Sequence, residues 1–500
     1  MNLKAVWELL GVVLLLMAIF LLAPALVGLA YGEFDAARDF LLSAVLVALP
    51  GVAMKYGYYR ARFTEDGSLD FHRREGLAVV GLSWLVGGAA GAIPFMVHGT
   101  LPSFVDAYFE SVSGLTTTGS TVMQATEIDG MSHAMAFWRS FTHWLGGFGI
   151  VMVFVVLFPT GGRSLFRSEI PGVAREAGHR RVRESAMTLL KIYAGITVIE
   201  LLLLLGTGIG FFESVIHAFG TIPTGGFSNH GASVGYFDNL GVEVILTSFM
   251  FLCGLNFGLY ETLIKAGPRP FLRRLWGSSE ARWYMGIALF STIGIAVVLW
   301  FTGQAPETGG PDYRDFGRCL RDSSFQVVCL QTSTGFATAD FDNWPQITRV
   351  LLMFLAMMGA CAGSTGGGIK MVRCMIVAKA AIVGVRRFIR PRAIHTVRMD
   401  GQVLDGGIVG SVTGYFALWT LVFLGGTLLM SCFGYDLVSS GTAVLATLNN
   451  IGPGLAAFGP AENFAAMPDL LKVMLTVFMI LGRLEFYAVV ALVVPDFWRK

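Results

Sequence analysis

Charged residues are scarce in this sequence of 500 residues. Only 14% of the positions are Asp, Glu, Lys or Arg, whereas 54% are hydrophobic and the mean hydropathy is +0.64. A soluble domain carries about 25% charged residues, so this composition excludes the soluble class. The net charge of +2 is too small to imply an acidic partner such as a nucleic acid. The chain is therefore predicted to be an integral membrane protein.

Motifs for catalysis and for metal or nucleotide binding are also lacking. There is no HExxH, no GxSxG and no glycine-rich dinucleotide fingerprint after a strand, so neither an enzyme nor an organic cofactor is expected. The six cysteines form no CxxC pair and stand mostly in apolar surroundings, as packing residues do. They are Cys253, Cys319, Cys329, Cys361, Cys374 and Cys432.

Apolar runs long enough to cross a bilayer fill most of the chain. Ten are predicted, over residues 6–30, 39–59, 76–97, 134–158, 188–208, 241–263, 284–302, 347–374, 407–432 and 470–494. Between them, 27 of the 36 Lys and Arg residues lie in 55–74, 163–191, 265–282, 370–398 and at the C-terminus, whereas 98–138 and 211–240 hold none. By the positive-inside rule, both termini are predicted to be cytoplasmic.

Four loops on the predicted outer side share one pattern, a short apolar stretch followed by a polar segment with glycine. Their spacing is close to 110 residues, which indicates an internal repeat. Aligned on one glycine apiece, the segments are Thr116-Thr117-Thr118-Gly119, Ile222-Pro223-Thr224-Gly225, Thr332-Ser333-Thr334-Gly335 and Asn449-Asn450-Ile451-Gly452.

Ordinary extracellular turns use the same residue types, but four such loops at equivalent places favour a shared function. Non-helical backbone at membrane depth survives only where it is buried in protein or lines a wet cavity. A ring of such loops points carbonyl oxygens inward, where they replace the hydration shell of a cation, and glycine supplies the backbone angles. The sequence therefore predicts a cation pathway.

The chain resembles the Trk/Ktr/HKT superfamily, and its TrkH branch in particular. The resemblance rests on "WRSFTHWLGGFGI" (138–150), "TGGFS" (224–228), "CAGSTGGGIK" (361–370) and "NNIGPG" (449–454), and it covers essentially the whole chain. One departure is His143, where glutamine is expected. The resemblance implies an all-α membrane protein of ten transmembrane helices, two N-terminal ones (1–70) followed by four pore repeats (71–180, 181–275, 276–395 and 396–500) in pseudo-fourfold arrangement.

What the resemblance implies about function is potassium uptake across the bacterial inner membrane through a channel-like pore. Two alternatives are a proton- or sodium-coupled symporter and a less selective potassium/sodium pathway. Gly119 favours potassium, since serine there is associated with sodium passage in HKT members. A homodimer and a cytosolic nucleotide-binding subunit of the TrkA type are implied as partners. Potassium ligands are expected among Thr117, Thr118, Thr224, Ser333, Thr334, Asn450 and Ile451.

The eighth predicted span is interrupted by an almost side-chain-free stretch, residues 359–370, which cannot hold a stable helix. A phosphate nest is excluded by the spacing, and a close helix crossing is the alternative to a flexible gate. The resemblance implies an intramembrane gating loop. Its predicted residues are Gly359, Gly363, Ser364, Thr365, Gly366, Gly367, Gly368 and Lys370, with Arg483 reaching the pore nearby.

An arginine inside a span is costly and marks a functional site by default, although a local pair of Arg483 with Glu485 is an alternative. Other polar residues give weaker signals. Asp106, Glu110 and Glu213 either enrich cations at the outer side, act as caps or lie on solvated faces, and Glu200 and Glu243 are interpreted as structural or snorkelling. His217 is expected to be a packing residue, and Arg386, Arg387, Arg390 and Arg392 to set topology or bind anionic lipid.

Overall fold

The structure, a computed structural model, describes residues 2–56, 73–157, 179–303 and 312–498. Regular structure there is helical apart from an antiparallel ribbon of β1 (Arg398–Met399) and β2 (Gln402–Val403). The α-helices are α1 (Leu3–Phe20), α2 (Leu22–Tyr31), α3 (Phe34–Tyr56), α4 (Arg73–Val97), α5 (Phe104–Leu115), α6 (Ala125–Asp129), α7 (His133–Leu157), α8 (His179–Leu205), α9 (Phe211–Thr221), α10 (Leu240–Cys253), α11 (Phe257–Ala266), α12 (Pro268–Gly277), α13 (Ser279–Thr302), α14 (Phe316–Gln331), α15 (Gln346–Met358), α16 (Met371–Ile389), α17 (Gly406–Cys432), α18 (Leu437–Leu448), α19 (Asp469–Arg483), α20 (Tyr487–Val493) and α21 (Pro495–Trp498).

Six helical segments are long and apolar enough to cross a membrane, which supports the prediction of a membrane protein. They are Leu3–Tyr31, Phe34–Tyr56, Arg74–Val97, Met187–Leu205, Ser279–Thr302 and Gly406–Cys432. The pair α10 and α11 makes a seventh if the two are one broken span. The predicted spans 347–374 and 470–494 are each divided into two helices, and the span 134–158 coincides with α7. The number of ten transmembrane segments remains a prediction.

The predicted span over 241–263 is not one straight helix, because the chain bends there by 91°. Helix α10 ends at Cys253, and Asn256 caps α11 by accepting a hydrogen bond from the Gly258 amide at 2.8 Å. The asparagine side chain satisfies a helix-start amide, so it stabilises a new helix in a new direction. One asparagine in a long apolar run was too weak a signal to reveal the break.

A fixed order of elements recurs four times after the N-terminal helices. A long helix (α4, α8, α13 or α17) leads to a short one (α5, α9, α14 or α18), then to a loop and to a further helix (α7, α10, α15 or α19). We call the four short helices the pore helices. The loops after them are filter loops 1 to 4, residues 116–119, 223–226, 332–335 and 449–452.

Helices α1 to α3 form an N-terminal hairpin that packs on α4 and α7. Gly11 and Gly51 face each other in it: a Cβ atom on Gly11 would stand 2.8 Å from the Gly51 carbonyl oxygen. Small residues at such a crossing let helix backbones approach closely. The hairpin belongs to the largest apolar core, which also holds side chains of α5, α14, α18 and α19.

The predicted unit boundaries meet this structure in different ways. The boundary at 70/71 lies outside the described residues, as do most of the basic stretches 55–74 and 163–191 and the two C-terminal residues. The boundary at 180/181 falls inside α8 and that at 275/276 inside α12, while the one at 395/396 falls between α16 and β1. The division into five units remains a prediction.

Candidate ion-binding site

Each pore helix ends in the same hydrogen-bonded turn, a Schellman motif. In filter loop 1 the Thr118 amide donates to the Ser113 carbonyl at 2.9 Å and the Thr117 amide to Gly114 at 3.0 Å. The residue at the turn adopts a left-handed conformation in all four loops. These residues are Thr117 (φ 55°), Thr224 (57°), Ser333 (57°) and Asn450 (52°). Non-glycine residues rarely adopt it, so the surrounding structure must hold them there.

The hydrogen bonds correct the alignment of filter loop 2 by one residue. In filter loop 2 the amide that donates to the carbonyl five residues earlier is that of Gly225, which bonds to Gly220 at 2.8 Å. In filter loop 3 it is the Thr334 amide, which bonds to Cys329 at 2.8 Å, and filter loops 1 and 4 contain the same bond. Gly225 is therefore equivalent to Thr334 and not to the filter glycine. The left-handed glycines are Gly119, Gly226, Gly335 and Gly452, with φ of 85°, 85°, 88° and 105°.

These four glycines close a cycle of contacts in chain order. A Cβ atom on Gly119 would collide with the carbonyl oxygen of Gly225 in filter loop 2. In the same way, a Cβ atom on Gly226 would meet the carbonyl oxygen of Thr334, one on Gly335 that of Ile451, and one on Gly452 that of Thr118, the last at 3.0 Å. Each carbonyl thus reaches the glycine of the neighbouring loop, and any side chain at the glycine would displace it. The four loops form one closed ring.

Filter loops 1 and 3 are braced by paired threonines. The Thr116 hydroxyl donates to the Val112 carbonyl at 2.7 Å, so its contact with the Thr118 hydroxyl at 2.7 Å has Thr118 as the donor. In loop 3, Thr332 donates to Val328 at 2.7 Å and the Thr334 hydroxyl contacts it at 2.8 Å.

Filter loop 4 is held by bonds to other elements. Asn450 donates to the Thr118 hydroxyl and to the Met479 carbonyl, both at 2.9 Å. Asn449 donates to Ala356 at 3.0 Å and accepts from the Trp419 indole at 3.2 Å. Loop 4 is therefore fixed by α15, α17, α19 and filter loop 1.

Filter loop 2 is held by α7, through His143 and Arg139. The His143 ring is buried between the first pore helix and the backbone after filter loop 2: Nδ1 donates to the Gly114 carbonyl at 2.7 Å and Nε2 accepts from the Phe227 amide at 3.2 Å. Both ring nitrogens have a partner, so the departure from glutamine preserves one donor and one acceptor.

Arg139 belongs to a buried ion pair that sequence reasoning missed. It donates to Glu110 at 2.7 Å and to the Ser228 carbonyl at 2.8 Å, and its guanidinium stacks on the Phe227 ring. The prediction that Glu110 enriches cations or acts as a cap is wrong, since the carboxyl is fully buried and also accepts from the Val122 amide at 3.0 Å. The pair connects the first pore helix to the backbone after filter loop 2.

Other predicted polar residues are structural. The Asp106 carboxyl contacts the buried Lys472 ammonium at 2.5 Å. The Nδ1 atom of His217 donates to the Glu213 carbonyl at 2.8 Å and its Nε2 atom contacts the Ser228 hydroxyl at 3.1 Å, which fits a packing role. Glu243 pairs with Arg321 at 2.7 Å. Burial excludes snorkelling for Glu200, whose exposed fraction is 0%.

The predicted gate segment, residues 359–370, separates α15 from α16 and lies against filter loops 3 and 4 and against Ile222, just before filter loop 2. The Gly367 amide donates to the Ser333 hydroxyl at 2.6 Å, and the Thr365 hydroxyl donates to the Ile222 carbonyl at 3.0 Å. A Cβ atom on Gly367 would collide with the Asn449 carbonyl oxygen. The Lys370 ammonium turns back to the carbonyl of Gly366.

The rest of the segment is anchored to its surroundings. The Gly363 carbonyl accepts from the Phe257 amide at 2.9 Å, and the Ser364 hydroxyl donates to Cys361 at 2.6 Å. Gly359, Gly363 and Gly368 have left-handed φ of 66°, 73° and 78°, and Lys370 has 70°. The backbone therefore folds back repeatedly within a short space, which an uninterrupted helix could not do.

Arg483 connects this segment to α7. Its guanidinium donates to the Thr365 carbonyl at 2.9 Å and to the Gly146 carbonyl at 3.1 Å. The alternative pair with Glu485 is not formed, because Glu485 contacts Arg373 instead. The arginine side chain thus holds the gate segment and α7 together.

Comparisons with known proteins agree with this architecture. The family model "TrkH: Cation transport protein" matches residues 58–500. The Trk system potassium uptake protein TrkH of Salmonella typhimurium is 35% identical over 506 residues, with 100% of each chain covered. The chain belongs to the TrkH family. TrkG of Escherichia coli is 30% identical over 504 residues, which cover 100% of this chain and 99% of TrkG. The crystal structure of the potassium transporter TrkH from Vibrio parahaemolyticus superimposes with a TM-score of 0.87 at 32% identity, with full coverage of both chains.

Proposed function

We propose that this TrkH-family protein takes up potassium through a channel-like pore whose filter is the ring of four loops. The observation that carries the proposal is the closed cycle in which each filter glycine faces a carbonyl oxygen of the next loop. Carbonyl dipoles gathered in this way replace the hydration shell of a cation. The C-terminal ends of all four pore helices precede the loops, and their partial negative charge favours a cation there.

The proposed ligands are oxygens of the filter loops at Thr117, Thr118, Thr224, Ser333, Thr334, Asn450 and Ile451. Two of these residues carry buried oxygens that make no hydrogen bond within the described protein, the Thr117 hydroxyl and the Asn450 amide oxygen. Such atoms are costly unless something coordinates them. The corrected alignment adds the carbonyl of Gly225, because it occupies the same position as those of Thr118, Thr334 and Ile451.

The architecture proposed around the pore is the one expected from the family resemblance. It has ten spans, two of them N-terminal and eight in four pore repeats with pseudo-fourfold arrangement. Both termini are cytoplasmic and the membrane is the bacterial inner membrane, in contact with its lipids. A homodimer and a cytosolic TrkA-type subunit complete the assembly.

The gate is proposed to be the segment 359–370 together with Arg483. The segment lies against the inner ends of the filter loops through Thr365 and Gly367. A guanidinium beside the ion path opposes cation passage, and its bond to the Thr365 carbonyl holds the segment in place. We expect opening to require that this bond breaks.

Rubidium-86 uptake into proteoliposomes that hold the purified chain tests the filter. Gly119→Ser forces the Gly225 carbonyl away, so potassium preference over sodium should fall by about tenfold or more, which is roughly 1.4 kcal/mol of selectivity. Gly195→Ser is the matched control, because Gly195 is exposed on α8 and a Cβ atom there would meet nothing within 4 Å. Equal selectivity in wild type and Gly119→Ser would place the filter elsewhere.

The same assay separates the two alternatives. Block of rubidium uptake by sodium as well as potassium would favour the less selective pathway. Uptake that follows an imposed proton or sodium gradient at zero membrane potential would favour a coupled symporter.

Arg483→Gln tests the gate. Loss of a charge-assisted bond of about 1.5–3 kcal/mol to the Thr365 carbonyl should raise basal uptake about tenfold. Arg269→Gln removes an equal charge from an exposed position on α12 and should leave basal uptake unchanged. Closed-state leakage that is the same in Arg483→Gln and wild type would contradict the gate.

A further inference from the structure

Glu200 is a buried acid without a counter-charge, in the last two turns of α8. Its exposed fraction is 0%, and neither carboxyl oxygen makes a hydrogen bond within the described protein. The helix around it lies in the apolar segment Met187–Leu205, which is long enough to cross a membrane. One turn away on either side, Ile196 and Leu204 pack into apolar clusters.

Other buried glutamates in the described ranges are all satisfied. Glu110 pairs with Arg139 and Glu243 with Arg321, both at 2.7 Å. Glu75 accepts from the Asn2 amide at 2.7 Å, and the half-buried Glu280 accepts through one oxygen from two backbone amides, Ala362 at 2.7 Å and Val372 at 3.2 Å. An ionised carboxylate in a membrane span is expected to have such partners.

The polar groups around Glu200 favour its neutral form. Thr221, at the end of the second pore helix, stands close enough to interact with the carboxyl, but its hydroxyl hydrogen is already donated to the His217 carbonyl at 2.7 Å. With its hydrogen on the His217 carbonyl, Thr221 offers Glu200 only a lone pair, which a protonated acid can use and a carboxylate cannot; turned towards Glu200, the same hydroxyl would instead stabilise the carboxylate. The negative end of the pore-helix dipole also disfavours an anion at this place.

The titratable groups near Glu200 supply no positive charge. Tyr193 on its own helix and Cys253 on α10 both interact with it electrostatically, and both are neutral in ordinary conditions. Arg483 acts on Tyr193, whose hydroxyl donates to the Trp144 carbonyl at 3.1 Å. Helices α7, α9, α10 and α11 all pack against α8.

We propose that Glu200 is an intramembrane proton-binding site, and that its proton is needed for filter loop 2 to keep its conducting geometry. The connection is short: the Thr221 carbonyl accepts from the Thr224 amide at 2.9 Å, and the next carbonyl, Ile222, accepts from Thr365 of the gate segment. Loss of the proton leaves an uncompensated charge against this turn, and the helix end must move to admit water. The second part of the proposal rests on the proposed potassium uptake.

Infrared difference spectroscopy on the purified full chain tests the protonation without any transport. Wild type should show the carbonyl stretch of a protonated carboxylic acid at neutral pH, and Glu200→Gln should lose it. Glu261→Gln is the control, because the Glu261 carboxylate is partly exposed and is paired with Lys265 at 2.6 Å. This substitution should leave the band unchanged. Identical spectra in wild type and Glu200→Gln would overturn the proposal.

Rubidium uptake measured across a pH series tests the connection to the filter. Above the midpoint, wild-type uptake should fall about tenfold per pH unit, the slope of a single proton, whereas Glu200→Gln should stay flat because its amide mimics the protonated acid. An equal fall of rubidium uptake with pH in wild type and Glu200→Gln would overturn the role of the Glu200 proton in conduction. If neither takes up rubidium even when Arg483→Gln is added to open the gate, potassium uptake itself is wrong, and the infrared band still decides the protonation. If Glu200→Gln does not assemble, loss of the wild-type band at alkaline pH and its shift in Glu200→Asp decide instead.

Discussion

Filter loops 1 and 3 differ from filter loops 2 and 4 in what holds them. The backbone turns are equivalent, yet loops 1 and 3 carry their own threonine braces, such as Thr332 with Thr334. Loops 2 and 4 have no such pair. His143 and Arg139 hold the backbone after loop 2, whereas Asn449 and Asn450 anchor loop 4 to three helices.

The difference teaches that one backbone geometry can be stabilised locally or from outside. A loop that braces itself depends on two hydroxyls, each worth about 1 kcal/mol. A loop braced by its neighbours moves when they move. Loops 2 and 4 therefore depend on the helices around them, whereas the gate segment also meets the self-braced loop 3 through Ser333.

The largest effect is expected from removal of the imidazole that supports loop 2. His143→Ala leaves the buried Phe227 amide without a partner, at about 1–3 kcal/mol, and leaves the Gly114 carbonyl with the Thr117 amide alone. Thermal unfolding of the detergent-solubilised protein should occur at lower temperature, and potassium preference should fall at least tenfold. His143→Gln retains a donor and an acceptor and should restore both properties. A glutamine variant as damaged as the alanine one would show that the ring packing of His143 matters more than its hydrogen bonds.

An intermediate effect is expected where loop 4 is anchored. Asn450→Gly keeps the left-handed backbone but removes the bonds to Thr118 and Met479, so unfolding should be easier by about 1–3 kcal/mol. Thr224→Gly changes the equivalent position of loop 2, where the hydroxyl donates only to the adjacent Pro223 carbonyl. Its loss of thermal stability should be the smaller of the two. The reverse order would mean that loop 4 does not depend on its neighbours.

The smallest losses of stability are expected in the two loops that carry their own threonine braces, filter loops 1 and 3. Thr334→Val removes one hydroxyl bond inside loop 3, at about 1 kcal/mol. Thr118→Val removes the corresponding bond in loop 1 and also the acceptor used by Asn450, so it should destabilise the protein more. Chemical denaturation of the two variants side by side measures the difference. Equal losses would indicate that the bond between loops 1 and 4 contributes nothing to stability.

The repeats and the family are readable from the sequence, because hydropathy and glycine spacing determine them. The sequence does not show which glycine of filter loop 2 is equivalent to Gly119. The stretch "PTGG" offers two adjacent glycines, and only the hydrogen bond from the Gly225 amide to the Gly220 carbonyl distinguishes them. A signal was present: the Schellman turn requires a left-handed residue two positions before the filter glycine, and Thr224 before Gly226 satisfies it.

Contacts between polar residues that are far apart in the sequence could not be predicted either. Glu110 and Arg139 are 29 residues apart and belong to different helices, so neither periodicity nor local spacing brings them together. The contact of Arg483 with Thr365 spans 118 residues. Its general location was anticipated from the family, but its second partner, the Gly146 carbonyl, required the three-dimensional structure.

The ring of four loops is made by a single polypeptide. In a pore built from four identical subunits, one change in the gene alters every quarter of the ring at once. Here each quarter has its own codons, so natural variation can adjust one ligand while three stay fixed. Selectivity can therefore drift in small steps, and the unequal bracing of the quarters is a record of that independence.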